Sequence, residues 1–171
     1  GDPTGLMQSE FLPDYPIVND IASTANDIAT QADIDGNSMV KSSMPTANQV
    51  KELVEKTTQK EETVGGVKGI RFKAANGNSI FMPYTGYRKG QVVTTSDAEG
   101  LYWTGSHYDI VNDYSHTLKL SAGSAACGLS TRNLGLAVRS VRKTTGLHPL
   151  SNRLVVGDLE NNGRIRIELY N

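Results

Sequence analysis

The order in which periodicities appear along this chain predicts an α+β fold, with one or two helices packed on a mainly antiparallel sheet and long loops between the elements. Two observations carry that expectation. Apolar residues first recur at helical spacing, and from Ile70 onward they recur at every second position instead. Turn dipeptides such as Asn76-Gly77 then punctuate the alternating runs. The chain has 171 residues, which suits one domain with a real core.

Taken in order, residues 1–19 carry Pro3, Pro13 and Pro16 and read as an irregular lead-in. Residues 20–145 read as the body of the domain, and 146–171 as a C-terminal hairpin extension of it. Ile21, Ala25, Ile28, Ala29 and Ala32 recur at helical spacing and predict a short helix over about 20–32. The stretch DIDGNSMVKSSMP reads as loop, marked by Asp35-Gly36-Asn37. A second helix begins after Thr46. Pro45 precedes it, the Thr46 hydroxyl caps it, and Gln49 three residues later completes a capping box. Val50, Leu53, Val54 and Thr57 form its apolar face, and Glu52 pairs with Lys56 outside.

The period then changes. Ile70, Phe72 and Ala74 alternate with Arg71 and Lys73, Asn76-Gly77 makes a tight hairpin, and Ser79 to Met82 returns. Further strands are expected at 92–96, 101–104, 114–121 and 134–142. In the third, Tyr114, His116, Leu118 and Leu120 share one face against Ser115, Thr117 and Lys119. A last hairpin runs from Arg153 to Val156, turns at Asn161-Asn162-Gly163, and returns with Ile165, Ile167 and Leu169 alternating with Arg164, Arg166 and Glu168.

Charge and composition narrow the function. There are 17 Lys plus Arg against 18 Asp plus Glu, a formal net charge of −1, which argues against a nucleic-acid partner because phosphate binding needs a basic face. No apolar run approaches the roughly 20 residues of a membrane span. Cys127 is the only cysteine, so no internal disulfide forms. Two readings of it stand: a small buried hydrophobe, favoured because no basic residue sits beside it in sequence, and a reactive thiol.

Four motifs in sequence order resemble the Fibrobacter succinogenes major paralogous domain of Bacteroidetes surface proteins. They are MPTANQVKELVEKTT, GVKGIRFKAANGNSIFMPYTGYRKG, EGLYWTGSHY and NLGLAVRSVRK, within about residues 25–143. The resemblance implies a C-type-lectin-like fold related to that of formylglycine-generating enzymes, in a lectin-like domain over 20–145. It implies an extracytoplasmic home, at the cell surface or tethered to an outer membrane. It also implies that Tyr84 and Tyr87 pack the junction after the first hairpin, with Gly86 permitting the turn between them. Family members often carry tryptophans ahead of the helix motif and a cysteine in the final strand. This chain has DGNSMVKSSMP and Ser140 there.

No catalytic constellation is legible, so a non-enzymatic role with no cofactor is expected. The oxidase chemistry of formylglycine-generating enzymes uses cysteines, and only Cys127 is present. Val111-Asn112-Asp113 matches part of the calcium motif of C-type lectins without its partner motif, and Asp158, Glu160 and Asn162 begin an EF-hand-like loop whose twelfth position is Leu169. His107, His116 and His148 have no ligand spacing. No metal site is expected. Trp103, inside the strand motif LYWT, is assigned to the core.

What remains is a binding surface in SHYDIVNDY, Ser106 to Tyr114. Its candidate ligand contacts are His107, Tyr108, Asp109, Asn112, Asp113 and Tyr114, adaptable side chains suited to a glycan or protein ligand. Only Ile110 and Val111 in it ask for burial. The alternatives are a structural subunit of a surface assembly, in which the strand from Arg164 to Tyr170 pairs with another chain, and a formylglycine-generating-type oxidase acting through Cys127.

Overall fold

The computed structural model describes residues 20–31, 40–111, 113–144, 155–159 and 165–169. Within them the fold is α+β: two helices and mostly antiparallel strands. The first helix, α1, is Ile28–Gln31 and the second, α2, is Ala47–Lys56. Two three-stranded meanders carry most of the sheet. One is β2 (Thr57–Val64), β3 (Val67–Ala74) and β4 (Ser79–Pro83); the other is β7 (Glu99–His107), β8 (Tyr114–Ser121) and β9 (Ser124–Thr131). A small sheet joins β5 (Tyr87–Lys89) to β6 (Val92–Thr94) and β10 (Leu134–Gly135), and β1 (Val40–Ser43) pairs with β11 (Val141–Thr144).

Helix α2 forms where the sequence places it. The Gln49 N–H donates to Thr46 Oγ1 at 3.2 Å and the Thr46 N–H donates to Gln49 Oε1 at 2.9 Å, a reciprocal capping box. Its buried Val50, with Leu53 and Val54, packs on a core of Ile70, Phe72, Met82, Tyr84, Tyr102, Leu118 and Leu120, drawn from both meanders. The ion pair along its outside is Lys51 with Glu55, at 3.9 Å, rather than Glu52 with Lys56.

The helix expected over 20–32 is cut to one turn. Residues 22–26 are turns, Ser23 has φ 65, and Asp27 caps the short α1. Ala32 lies outside the described residues. The loop expected before α2 contains β1, which is held against β11 in the register Val40↔Thr144 to Ser43↔Val141.

The meanders contain two strands that alternation does not reveal. β2 is polar and mostly exposed, and it pairs along its length with β3 through a two-residue turn, Gly65-Gly66, at φ 57 and 84. β9 follows β8 through Ala122-Gly123, at φ 49 and 80. The turn at Asn76-Gly77 is a longer one than expected. Only Gly77 takes positive φ, and the Ala74 N–H reaches Asn78 O at 2.9 Å while the Gly77 N–H reaches Ala74 O at 3.0 Å, a type I turn closed by a bulge. Side chains rather than a ladder join the meanders where β2 meets β9. Gln59 donates to Val54 O at 3.0 Å and accepts from the Ala125 N–H at 2.6 Å.

The strand expected over 134–142 is interrupted: Leu134-Gly135 and Val141–Thr144 are separate strands of different sheets. Between them, Ala137 bonds to Leu101 and Trp103 beside β7. The C-terminal hairpin consists of β12 (Val155–Leu159) and β13 (Ile165–Leu169), in the register Val155↔Leu169 to Leu159↔Ile165. Among the described residues these two strands pair with each other alone. The expected turn at Asn161-Asn162-Gly163 lies outside the described residues.

Candidate functional site

The expected contact segment sits where β7 ends and β8 begins. An irregularity in β7 sets it up: Trp103 pairs with Thr117 and His107 with Ser115, so four steps along β7 match two along β8. The displaced residues Thr104, Gly105 and Ser106 are buried and bonded elsewhere. Thr104 Oγ1 donates to His116 O at 2.8 Å, the Gly105 N–H donates to Pro45 O at 2.8 Å, and Ser106 Oγ accepts from the Ala47 N–H at 3.0 Å, one of the otherwise unpaired amides at the start of α2. Gly105 O accepts from the Ile21 N–H at 2.8 Å. A Cβ on Gly105 would come within 2.7 Å of Ala22, so the close crossing of the 20–22 segment requires glycine.

The 108–113 connection is closed by the Tyr108 N–H donating to Tyr114 O at 3.3 Å and the Tyr114 N–H donating to Val111 O at 3.1 Å. The Arg132 N–H anchors it to the next turn through Asp113 O at 2.8 Å. Tyr108 meets His116 edge-on, ring centroids 5.6 Å apart. The structure therefore brings His107, Tyr108, Asp109, Asp113 and Tyr114 to one corner; Asn112 lies outside the described residues.

Their roles differ. The side chain of His107 turns inward and is only 7% exposed, whereas that of Asp109 is 98% exposed. His107 Nδ1 stands 3.6 Å from Asp109 Oδ1, a contact too long for a hydrogen bond, and the buried Nε2 has no hydrogen-bond partner among the described residues. The His107 N–H donates to Asp20 Oδ1 at 2.9 Å. Ile110 and Val111, expected to be buried, are instead 78% and 41% exposed at the tip. A connection that leaves the sheet after the irregularity in β7 carries them away from the core.

The junction tyrosines behave more nearly as expected. Tyr84 is buried, donates to Glu61 Oε2 at 2.7 Å and accepts from the Gly123 N–H at 3.1 Å. Burial, then the bond to Glu61, pushes its hydroxyl above the ordinary tyrosine range. Gly86 takes φ 62, as a turn there needs, and Tyr87 is half-buried at the start of β5. Tyr102 takes the core position in β7 and donates to Pro83 O at 2.6 Å. Burial pushes its pKa up to about 12, opposed by the charge of Arg139.

Trp103, the next residue, is not part of that core cluster. It is half-buried and walls a groove of about 440 Å³, rather than filling the core. Cys127 also departs from expectation: it is exposed on β9, beside α2. Partial desolvation, then Glu55, raises its thiol pKa against the pull of Lys51, which disfavours the thiolate. Among the described residues no three His, Cys, Asp or Glu side chains cluster closely enough to hold a metal ion, and no helix is long and apolar enough to cross a membrane.

Sequence reasoning missed the groove because its walls come from separate stretches, including α2, β4, β7 and the segment 139–142. Alternation along a single strand carries no signal of such a groove. No protein-family model, curated protein or solved structure matches this chain.

Proposed function

We propose that this is a non-catalytic, exported or surface-tethered domain that recognises a ligand through the corner at 107–114. The observation that carries the reading is Ile110, 78% exposed beside Val111 at the tip of a connection closed by its own backbone bonds. An apolar tip flanked in sequence by Tyr108, Asp109 and Asp113 has the composition of a protein contact, with an apolar anchor among polar neighbours. A protein ligand is therefore favoured over a glycan. The resemblance to the Fibrobacter succinogenes major paralogous domain, with its C-type-lectin-like fold, supports the same class of role and an extracytoplasmic location.

The test is a protein and glycan array probed with the wild-type chain and with Ile110→Asp, with and without calcium. A protein ligand that is retained without calcium and weakened at least tenfold by the substitution supports the reading. Silence on both arrays, together with turnover of any substrate, rejects it.

A second reading, a strand-mediated surface assembly, draws on the C-terminal ribbon. Beyond the pairing of β12 with β13, neither strand has a ladder partner among the described residues. Light scattering on the full chain and on residues 1–145 tests it: the full chain should form larger species, and two identical monomers would reject assembly. The oxidase alternative draws no support from Cys127, whose surroundings disfavour the thiolate. Cys127→Ser should leave any activity unchanged.

A further inference from the structure

The groove beside Trp103 has a chemistry of its own. Val50, Leu53, Ile80, Met82 and Trp103 make its apolar wall, and Arg139 and Arg142 supply its charges. Among the described residues, no carboxylate side chain lines it. Its other polar side chains include Gln49, whose Oε1 is engaged by the Thr46 N–H so that the amide N–H₂ is the end left to donate, Ser140, the Trp103 indole N–H and the Tyr102 phenol, which donates to Pro83 O. The polar lining is therefore donor-rich and cationic in a chain whose net charge is −1, so the positive character is local. Arg139 acts on the phenol of Tyr102, which also lines the groove; this sets the guanidinium's charge against an otherwise apolar wall. A volume of about 440 Å³ falls in the range of cavities that hold small molecules, roughly 300–1,000 Å³.

From the apolar wall and the Arg139 guanidinium beside it, with no carboxylate in the lining among the described residues, we infer that this groove binds a free amphiphilic carboxylate of the fatty-acid type, its chain along Val50, Leu53, Ile80 and Trp103 and its head at Arg139. A guanidinium pairs with a carboxylate through two parallel N–H···O bonds. The chain contributes by burial, so each added methylene tightens binding about fourfold until the groove is full. This site is separate from the corner at 107–114 and does not depend on what that corner binds.

Trp103 is the only tryptophan, so its emission reports on the groove without labelling. The experiment titrates the full chain with octanoate, decanoate and dodecanoate below their micellar limits, with decanol as the uncharged control. A saturable change in Trp103 emission is expected, with decanoate at least tenfold tighter than decanol and affinity rising along the series to a plateau. Arg139→Gln should bring decanoate down to the level of decanol and leave decanol unchanged. Ile80→Glu, at a position 38% exposed and so tolerant of the change, should abolish both responses while circular dichroism stays native.

Equal affinity for acid and alcohol overturns the proposal, as does a response that survives Ile80→Glu. A Trp103 signal already shielded and indifferent to every ligand overturns it too, because another part of the chain then fills the groove. Binding only to anionic vesicles and not to free decanoate points to a membrane surface, and also overturns it.

Discussion

The two helix starts among the described residues meet the same need by opposite means. At α2 the cap is local: Thr46 and Gln49 satisfy each other's backbone amides within one turn. At α1 the cap is Asp27, fully buried, whose Oδ1 accepts from the Ala29 and Thr30 N–H groups and whose Oδ2 accepts from those of Ser23 and Met44. One carboxylate thus starts a helix, closes the turn before it and fixes the strand end seventeen residues away. A local cap strengthens an element that would form anyway. The buried carboxylate instead determines where three pieces of chain meet, so its loss spreads beyond the helix.

That contrast sets an order of expected effects. Asp27→Ala leaves four backbone amides without their acceptor, and at about 1–3 kcal/mol for each that stays buried the expected loss is about 3–5 kcal/mol in urea denaturation. Asp27→Asn should fare little better. An amide has one acceptor oxygen, and its N–H₂ would face the amides of either Ala29 and Thr30 or Ser23 and Met44.

Next comes the buried phenol of Tyr102, another contact between distant parts of the chain. Its folded pKa of about 12 exceeds the ordinary 10.0, so folding favours the protonated form. The resulting stability is fully present below pH 10 and is lost as pH rises through 12. The loss is at most about 2.7 kcal/mol, to which Tyr84 adds in the same direction. Unfolding at about pH 9 and pH 11.5 should show it, and Tyr102→Phe should flatten the fall.

Thr46→Ala removes only a local cap and should lower stability by about 1 kcal/mol. Lys51→Ala, at an exposed pair 3.9 Å apart, should change it by less than about 0.5 kcal/mol. If Thr46→Ala proved as damaging as Asp27→Ala, the distinction between the two caps would be lost.

The same distinction explains what was legible in the sequence. The capping box, the apolar face of α2 and the alternation around Ile70 and Phe72 are local patterns, and each gave its element. β2 was illegible because a polar strand, exposed on most positions, has no apolar alternation; the turn at Gly65-Gly66 was the signal that marks it. β9, built largely from small residues, is similarly silent. α1 was over-extended because helical spacing of Ile21 and Ala25 says nothing about Asp27 or about Gly105, to which the 21–22 backbone is tied. Of the candidate site, residue types and their clustering at one corner were readable. The inward turn of His107 and the outward turn of Ile110 were not, since both follow from the irregularity in β7, which no periodicity encodes.

The bond from the His107 amide to Asp20 spans 87 positions. At the roughly 5–20 residues per second of ribosomal synthesis, Asp20 is therefore synthesised roughly 4–17 s before its partner. Translation speed thus sets a minimum waiting time before this clasp can fasten, and slowing the ribosome between these positions would lengthen that wait without altering a single side chain.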